Sequence, residues 1–600
     1  MLMHTNLSGR HGAIVLNSDR TRFALWAPDA ETVRVVTHDG KSLEMLPDKN
    51  GWFVLEAQCP AGTVYKYKIN NDLEIPDPAS RAQAKDANGY SVVIDPDSFC
   101  WQHPAWRGRP WREAVIYELH VGLIGGYSAV ESILPRMADI GFTAIELMPL
   151  AQFPGNRNWG YDGVLPYAPQ SSYGSPEQLK SLIDAAHGLG LAVILDVVYN
   201  HFGPDGNYLN TYAKQFFHND KKTPWGDAID YSRREVRDFF IDSALMWLME
   251  YRFDGLRLDA VHAIDDPTFL EEFSDRIREE CREPRQVWLM LENELNEAHR
   301  LEKGFDAQWN DDGHNTLHVL LTGETDSYYA DFAAATTQKL ARVLSEGFVY
   351  QGEFTRHGKP RGEPSGHLPP SAFVLFLQNH DQIGNRAMGE RLVHISALPA
   401  LRAATALLIL SPMVPLIFMG DEWGADEPFL FFTDFHDELA AKVCEGRRSE
   451  FEDFAAFADE SQRERIPDPN AESTFESSKP AFEAVNREND VYEGHRDWLV
   501  YYRELLLIRH REIIPRLHSS HAIDAQVIGD KAVSARWRMG DGSILRIDLN
   551  LGEEAVPVSE KTVGNILFKT PVQREEYFWQ TVLDPFSVVI SLDQGGTANL

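Results

Sequence analysis

The middle of this chain, from about residue 113 to 515, alternates short apolar segments with amphipathic helical segments. Seven apolar segments predict buried strands, and an eighth, weaker one lies near 305–309. The candidates cover 115–121, 144–148, 192–198, 255–260, 287–291, 305–309, 373–377 and 415–419. Strands that alternate with helices indicate a parallel sheet with both faces covered. Eight of them predict an α/β fold, a (β/α)8 TIM barrel with long loop insertions.

Two intervening helices are well marked in the sequence. Ser175-Pro-Glu-Gln178 is a capping box with proline at the first helical position. From 236 to 251, apolar side chains recur along one helical stripe; they are Val236, Phe239, Phe240, Ala244, Trp247, Leu248 and Tyr251. The most apolar stretch, 403–419, contains Ser411, Pro412 and Pro415. We therefore interpret it as a buried helix followed by a buried strand, not as a membrane span.

The two ends of the chain have β-type alternation, with turn residues such as Asp39-Gly40 between the runs. Residues 1–100 predict an N-terminal β-sandwich. A Pro- and Trp-rich linker follows at 101–112, the barrel spans 113–515, and a C-terminal antiparallel β domain spans 516–600. Residues 437–497 are charged and weakly patterned, and we interpret them as a partly helical insertion after the last barrel strand. A helix at 498–510 then leads into the last domain.

The composition narrows the class of partner. The chain has 90 acidic and 57 basic residues and a formal charge of -33. That field repels nucleic acid and is compatible with a neutral substrate, although it also serves solubility.

The cysteines Cys59, Cys100, Cys281 and Cys444 are scattered, which predicts reduced thiols without a disulfide scaffold or zinc site. The first residues have no basic segment before an apolar run, so we expect no signal peptide and a cytoplasmic location.

Polar residues follow four of the predicted barrel strands. These ends are Leu195-Asp-Val-Val-Tyr-Asn-His201, Gly255-Leu-Arg-Leu-Asp-Ala-Val-His262, Leu291-Glu-Asn-Glu294 and Leu377-Gln-Asn-His-Asp381. One such end is weak evidence, because many strands finish with a polar residue. Four in one parallel barrel converge at its carboxyl-terminal edge, where barrel active sites lie. The pattern predicts a single cleft lined by carboxyl groups.

The spacing of these residues suggests an acid and a nucleophile. Side chains alternate along a strand, so Arg257 and Asp259 share a face, and the guanidinium favours the ionised carboxylate that a nucleophile needs. A buried ion pair of the barrel core is an equally strong alternative. Glu292 has no basic residue within two positions and lies beside a carboxylate, which suits a general acid. Glu294 competes for this role, but Glu292 is closer to the apolar run.

Glycoside hydrolysis needs such a pair of carboxyl groups. One protonates the leaving oxygen and the other attacks the anomeric carbon, and retaining enzymes hold them roughly 5–5.5 Å apart. Adjacent strands, at about 4.8 Å spacing, can place them so. Asp381 would be a third carboxylate near the sugar hydroxyls, and His201 and His380 would donate to them or have structural roles. Tyr161 offers an aromatic face for a sugar ring, with loop packing as the alternative.

These residues resemble the four signature regions of the α-amylase superfamily. The matching segments are Asp196-Val-Val-Tyr-Asn-His201, Gly255-Leu-Arg-Leu-Asp259, Glu292 and Asn379-His-Asp381. They occur in order and cover the whole barrel. The resemblance implies Asp259 as nucleophile, Glu292 as acid/base and Asp381 as transition-state stabiliser. It also implies sugar contacts, which are Tyr161, His201, Arg257 and His380.

A narrower resemblance is to the maltooligosyltrehalose trehalohydrolase family. Its segments are Pro76-Asp-Pro-Ala-Ser-Arg81, Phe153-Pro-Gly-Asn-Arg-Asn-Trp-Gly-Tyr-Asp162, Asp259-Ala-Val-His-Ala-Ile264, Gln308-Trp-Asn-Asp-Asp312 and Gln378-Asn-His-Asp-Gln-Ile-Gly-Asn-Arg386. The family has a β-sandwich before the barrel and a β domain after it, and it releases trehalose by cleaving the α-1,4 bond next to a terminal trehalose unit. Further substrate contacts implied are Asp162, His262, Trp309, Asp311, Gln382 and Arg386, with Trp309 expected on the leaving-group side.

The same resemblance implies an oligosaccharide substrate, no cofactor, and a maltooligosyltrehalose synthase as the pathway partner. Asn200 matches a calcium-ligand position of many α-amylases, but the narrower family implies no metal. Two alternatives stay open: a glucan branching or debranching enzyme, and a non-catalytic glucan-binding protein. The second is disfavoured because all three carboxylates are present. Gly313-His-Asn and the 437–497 insertion have no match in the resemblance.

Overall fold

The computed structural model describes residues 11–223, 226–282, 284–452, 457, 459–482, 493–558, 564–571 and 582–594. Its centre is a closed barrel of eight parallel strands, as the alternating pattern predicts. The strands are β1 (Ile116–Leu119), β2 (Ala144–Leu147), β3 (Ala192–Val197), β4 (Gly255–Leu258), β5 (Trp288–Leu291), β6 (Ala307–Trp309), β7 (Phe373–Leu375) and β8 (Val414–Phe418). Each pairs in parallel with the next, and β8 closes on β1.

The barrel strands are shorter than the apolar runs that mark them. Residues 120 and 121 leave β1 early because the His120 side chain caps the short helix Val121–Ile124. At β7 the ladder stops at Leu375, two residues before the predicted end. Residues just beyond a strand turn toward the cleft and leave the ladder, so apolar character extends further than strand pairing does.

Helices surround the barrel. They are α1 (Tyr127–Ile140), α2 (Pro176–Gly188), α3 (Arg234–Met249), α4 (Pro267–Glu280), α5 (Asp311–Thr322), α6 (Thr336–Glu346), α7 (Leu398–Leu410) and α8 (Glu493–Ile508). The capping box predicted at Ser175 is present: the Gln178 backbone N–H donates to Ser175 Oγ, and the Ser175 backbone N–H donates to Gln178 Oε1. The predicted stripe of α3 is buried.

The apolar 403–419 stretch forms the end of α7 and then β8, which confirms the helix-then-strand interpretation. Over the described ranges, no helix is long and apolar enough to cross a membrane. The helix predicted at 498–510 begins earlier, at Glu493, and α8 continues past Ile508 into a π-helical turn, Arg509–Ile513. That turn buries Arg509, whose guanidinium donates to the carbonyls of Ile409, Ser411 and Met413.

The segment predicted as a linker, 101–112, packs under the amino-terminal end of the barrel. The indole of Trp106 donates to Asp254 Oδ1 at 2.8 Å and stacks on His187. Trp111 donates to the carbonyl of Ser371 at 2.7 Å. Both rings pack against the apolar side chains that fill the barrel interior. The linker therefore also closes the end of the barrel that faces away from the predicted cleft.

Two β domains flank the barrel, as predicted. The N-terminal one has two facing antiparallel sheets, built from Gly12–Asn17, Arg20–Trp26, Leu46–Pro47 and Trp52–Ala57, and from Val33–Thr37, Ser42–Glu44, Val64–Ile69, Leu73–Ile75 and Ser91–Val92. The C-terminal sheet contains His521–Gly529, Ala532–Arg538, Ile544–Asn550, Asn565–Thr570 and Ser587–Asp593, and a small ladder pairs Val556–Pro557 with Val582–Leu583. The exact domain boundaries at 100, 112 and 515 stay predictions.

The described part of the 437–497 insertion is partly helical. Its helices before α8 are Asp437–Ser449, Glu460–Arg463 and Glu472–Ser477. Arg447 on the first of them donates to the carbonyls of Gly384 at 2.7 Å and Arg386 at 3.0 Å. The insertion is therefore attached to the segment that follows Asp381.

Candidate active site

One buried guanidinium joins the acidic groups at the carboxyl ends of β3, β4 and β5. Arg257 Nη1 donates to both carboxyl oxygens of Asp196, at 2.9 and 2.8 Å, and to Asp259 Oδ1 at 2.9 Å. Its Nη2 lies 2.7 Å from Glu292 Oε2. The carboxyl groups of Asp259 and Glu292 thus contact the two ends of one planar group, on the same side of the fold. This is the arrangement that the strand-end pattern predicts.

Asp259 follows the last residue of β4 and lies at the edge of the cleft. Its second oxygen, Oδ2, accepts a hydrogen bond of 2.7 Å from Asn200 Nδ2, which also donates to the Asp259 carbonyl at 2.8 Å. The side chain is held from two directions, by the guanidinium and by the amide. An ionised carboxylate so oriented is suited to attack a carbon atom above it.

Glu292 has a basic partner, contrary to what its sequence neighbours suggest. Arg257 reaches it from the adjacent strand, although no basic residue lies within two positions of Glu292 in the sequence. Glu292 Oε2 also accepts from the backbone N–H of Ala260 at 2.8 Å. Within the described ranges, no hydrogen bond involves its other oxygen, Oε1. Sequence distance hid this contact, because only the barrel register brings β4 and β5 together.

The backbone at Ala260 has a conformation that an L-residue rarely adopts. Its φ is 39° and its ψ is 50°, in the left-handed region, and alanine there is strained. This turn aims the Ala260 N–H at Glu292 instead of continuing the β4 ladder. The strain therefore occurs at the residue that links the two candidate catalytic groups.

The competing acid candidate, Glu294, lies outside the cluster. The strand ends at Leu291, so the two glutamates do not share a face. The Glu294 side chain is 68% exposed, and its Oε2 lies 3.6 Å from Nε2 of His262. The structure therefore distinguishes Glu292 from Glu294, which the sequence gave as competing candidates for the general acid.

Glu294→Gln is expected to lower kcat/KM by less than about threefold, because an exposed carboxyl group in weak contact with one histidine contributes little. The measurement is kcat/KM beside that of Glu292→Gln under the same conditions. A loss for Glu294→Gln as large as that for Glu292→Gln would contradict the placement of the acid.

Asp381 lies in a short helix, His380–Gly384, beyond β7. Asn379 caps this helix, since its Oδ1 accepts from the backbone N–H groups of Asp381 and Gln382, each at 3.0 Å. Asn385 donates to Asp381 Oδ1 at 2.8 Å. Burial raises the pKa of Asp381, the His380 charge lowers it, and Glu292 raises it further. The carboxyl group of Asp381 therefore faces the same cleft as Glu292.

Tyr161 and His380 form a hydrogen-bonded chain along one wall. The Tyr161 hydroxyl donates to Asp196 Oδ2 at 2.6 Å and lies 2.8 Å from His380 Nε2. The two rings are stacked, with centroids 5.1 Å apart. On the other side of the imidazole, Nδ1 lies 2.5 Å from Glu118 Oε1. Glu118 is on β1 and was not singled out from the sequence.

Other predicted contacts line the rim through the loops after β2 and β3. His201 pairs with Asn200 through Nδ1, and its Nε2 lies 2.9 Å from the Tyr161 carbonyl. Burial lowers the pKa of His201, against the raising effect of the Tyr161 carbonyl. Asp162 accepts from Asn158 Nδ2 at 2.6 Å, and burial raises its pKa. Both nitrogens of His201 are thus used within the protein, which gives this histidine a structural role.

The structure corrects the prediction that Trp309 contacts the sugar. The indole lies on β6, is 1% exposed, and lies under the Arg257 guanidinium, 4.2 Å from it. It therefore has no face for a substrate and supports the guanidinium from below. Asp311 begins α5, and burial and the nearby Glu292 raise its pKa well above its ordinary range, against the lowering effect of Arg361.

The last predicted contacts surround Asp381. Gln382 follows it in the short helix and is partly exposed. Arg386 is held by Glu324 through two hydrogen bonds, of 2.7 and 2.9 Å, and by Glu390 at 3.2 Å. With its charge committed to these carboxylates, Arg386 ties the loop after α5 to the segment that carries Asp381.

Three residues of the site were missed as functional candidates. Asp196 belongs to one of the signature segments but was assigned no role, Asn200 was considered only as a calcium-ligand position, and Glu118 was assigned no role. The available signal was a charged side chain inside an otherwise apolar strand, as in Tyr117-Glu-Leu-His120. Among the described residues, no cluster of three or more His, Cys, Asp or Glu side chains is arranged for a metal ion. The absence of a metal stays a prediction.

Family models divide the chain into three matched regions. Residues 94–227 match the α-amylase catalytic domain, residues 10–93 match carbohydrate-binding module 48 (the isoamylase N-terminal domain), and residues 520–590 match a domain of unknown function, DUF3459. The carbohydrate-binding module covers the two facing N-terminal sheets, and the catalytic model covers the first strands of the barrel.

Relatives extend the similarity over nearly the whole chain. A malto-oligosyltrehalose trehalohydrolase of Deinococcus radiodurans is 40% identical over 554 residues, covering 90% of this chain and 89% of that protein. One of Saccharolobus solfataricus is 38% identical, covering 82% and 86%. A crystal structure from Salmonella typhimurium, described as a candidate alpha amylase, is 42% identical with a TM-score of 0.90, covering 97% of this chain and 99% of that one.

Proposed function

Because this chain belongs to the malto-oligosyltrehalose trehalohydrolase family of α-amylase-type glycoside hydrolases, we propose that Asp259, Glu292 and Asp381 carry its reaction. The enzyme hydrolyses the α-1,4-glucosidic bond next to the terminal trehalose of maltooligosyl trehalose and releases trehalose. The observation that supports the assignment best is the single guanidinium of Arg257 between Asp259 and Glu292.

In the first step, Asp259 attacks the anomeric carbon of the glucose unit that precedes trehalose. The bond from that carbon to the glycosidic oxygen breaks, and Glu292 gives its proton to that oxygen, so trehalose leaves as a neutral alcohol. The glucan is then bound to Asp259 as an ester. Water replaces trehalose, Glu292 takes its proton, and the water oxygen displaces Asp259, which restores both groups.

Asp381 and the hydrogen-bonded wall act on the sugar ring of the cleaved bond. The transition state has positive charge on the ring, and a carboxylate beside it is favourable in a site from which water is excluded. Tyr161, at the mouth, supplies an aromatic face for the same ring. Arg257 and Trp309 are assigned to hold the carboxylates in place, since Arg257 contacts Asp196, Asp259 and Glu292 and the Trp309 ring lies against the guanidinium.

The test is product analysis with two substrates. Incubation of the enzyme with maltooligosyl trehalose is expected to release free trehalose as the main disaccharide, with plain maltooligosaccharide of the same length cleaved much more slowly. Chromatography of the products, with a trehalase digestion to identify the disaccharide, measures this. New α-1,6 branches, or only glucose and maltose from both substrates, would contradict the function.

We place the enzyme in the cytoplasm, in a pathway from α-glucans to trehalose. Supporting this are the four scattered cysteines, each free in the structure. The substrate requires a preceding reaction that converts the reducing end of a maltooligosaccharide into a trehalose unit, which is the reaction of a maltooligosyltrehalose synthase. The N-terminal sandwich, 1–100, is assigned to contact with the glucan.

A further inference from the structure

We propose that Glu118 is a positioning residue that holds His380 as an imidazolium, whose Nε2–H donates to the Tyr161 hydroxyl in the wall of the cleavage site. The inference rests on the proposed function, because it assigns a role in the same cleft. It concerns a residue on β1, on the far side of His380 from the substrate. Glu118 does not reach the reacting atoms and acts only through the histidine.

The contact between Glu118 and His380 has two parts. Oε1 lies 2.5 Å from the imidazole Nδ1, and Oε2 accepts from the His380 backbone N–H at 3.2 Å. Both residues are almost completely buried. One carboxyl group therefore fixes both the backbone and the ring of His380. A carboxylate facing Nδ1 requires a hydrogen on that nitrogen.

The other ring nitrogen also needs a hydrogen. The Tyr161 hydroxyl has one proton, which it donates to Asp196 Oδ2 at 2.6 Å. Both oxygens of Asp196 already accept from Arg257, so this aspartate has no role as a donor to the tyrosine. The hydrogen in the 2.8 Å contact between Tyr161 and His380 Nε2 therefore belongs to the histidine. With both nitrogens protonated, His380 carries a positive charge.

Charged and titratable groups face His380 from several elements. They are Glu118 and His120 from β1 and its end, Tyr161 from the loop after β2, Asp196 from β3, Arg257 from β4 and Asp381 from its own helix. Burial lowers the pKa of His380 and Arg257 lowers it further, whereas Glu118 and Asp381 raise it, with a result of about 9. His120 is neutral, since burial lowers its pKa to about 4. Burial raises the pKa of Asp196 to about 7 against the effect of Arg257, so the aspartate is ionised at alkaline pH.

The barrel supplies a matched control beside Glu118. Glu146 on β2 is paired with Glu118 in the strand register and is equally buried, at 1% exposed. Neither of its carboxyl oxygens has a hydrogen-bond partner among the described residues. Burial, with Glu118 and Asp196 nearby, raises the pKa of Glu146 well above its ordinary range, which favours the uncharged form. A glutamine there preserves both shape and charge.

The experiment compares the pH dependence of kcat/KM for wild type, Glu118→Gln and Glu146→Gln from pH 6 to 10. A raised pKa keeps the imidazolium present below about 9, so the activity that depends on the imidazolium should be lost as the pH rises through that value. Deprotonation of the acid, Glu292, adds an alkaline limb that all variants share. In Glu118→Gln the amide keeps the contact but not the charge, and the alkaline limb is expected to move about one pH unit or more toward acid. Glu146→Gln should follow the wild-type profile.

A second variant, Glu118→Asp, keeps the negative charge and shortens the side chain. Glu118→Asp is expected to lower kcat/KM by about tenfold at neutral pH while its alkaline limb stays near that of wild type, because the carboxylate is retained at a longer distance. Thermal unfolding of all variants at pH 7 shows which of them are folded. Should Glu118→Gln not fold, the position of the limb in Glu118→Asp decides the question.

Two results would overturn the inference. A folded Glu118→Gln with the wild-type limb would show that Glu118 does not set the charge of His380. Equal shifts in Glu118→Gln and Glu146→Gln would point to general disturbance of the barrel interior. Neither result resembles failure of the proposed function, in which wild type releases no trehalose; the pH profiles are then measured on the α-glucan that wild type does cleave.

Discussion

Asp259→Asn is expected to lower kcat for maltooligosyl trehalose by at least about a thousandfold, which corresponds to about 4 kcal/mol of transition-state stabilisation. The amide keeps the size of the side chain and can still meet Asn200 and Arg257. It has no negative oxygen to attack the anomeric carbon, so the glycosyl ester cannot form. The measurement is initial-rate kinetics of trehalose release.

Binding and folding provide the controls for this variant. The midpoint of thermal unfolding and the Kd for a maltooligosaccharide should stay close to those of wild type, because the substitution removes no packing. A rate within about tenfold of wild type would contradict the nucleophile assignment. A complementary variant, Asp259→Gly, should use added azide and an α-maltosyl fluoride to make the β-glycosyl azide, since azide would enter from the face that the carboxylate has left.

Glu292→Gln should separate two kinds of leaving group. Trehalose must be protonated as it departs, so its release is expected to fall by about a thousandfold or more. Fluoride needs no proton, so the first turnover of an α-maltosyl fluoride should slow by less than about tenfold. Because Glu292 also activates the water in the second step, the glycosyl-enzyme should accumulate. Rapid-quench fluoride release and mass spectrometry of the intact protein measure these effects.

The control for Glu292→Gln is Glu294→Gln, which changes the same residue type two positions away on an exposed loop. Equal losses of rate on trehalose and fluoride substrates would contradict the acid/base role, since an acid affects only the leaving group that needs a proton. A covalent adduct found on a residue other than Asp259 would also contradict the mechanism.

The barrel could be predicted from sequence because its strands are buried on both faces. A run such as Ala192 to Val197 must be apolar throughout, and its helical neighbours must be amphipathic, so the two patterns alternate visibly. Strand ends were less certain, because the residues that leave the ladder for the cleft are also buried. The ends of β1 and β7 show this directly.

The main candidate catalytic residues could also be found, since each follows a recognisable apolar run. Their mutual contacts could not. The pairing of Arg257 with Glu292 depends on barrel register, and the contact of Glu118 with His380 joins residues 262 positions apart. Trp309 was misjudged for the same reason, because an aromatic residue beside a polar loop has the same sequence signature whether its ring faces substrate or interior.

The Trp-rich segment under the barrel affects how substrate, product and water enter and leave the active site. Trp106 and Trp111 pack against the filled interior of the barrel. Within the described part of the chain, the substrate, the departing trehalose and the incoming water therefore use the same entrance to the active site. Water needs the place that the disaccharide vacates, and the second half of each cycle must therefore wait for that departure. Any sugar bound at the entrance competes with water for the intermediate, so a high sugar concentration should favour transfer of the glucan to that sugar over its release by water.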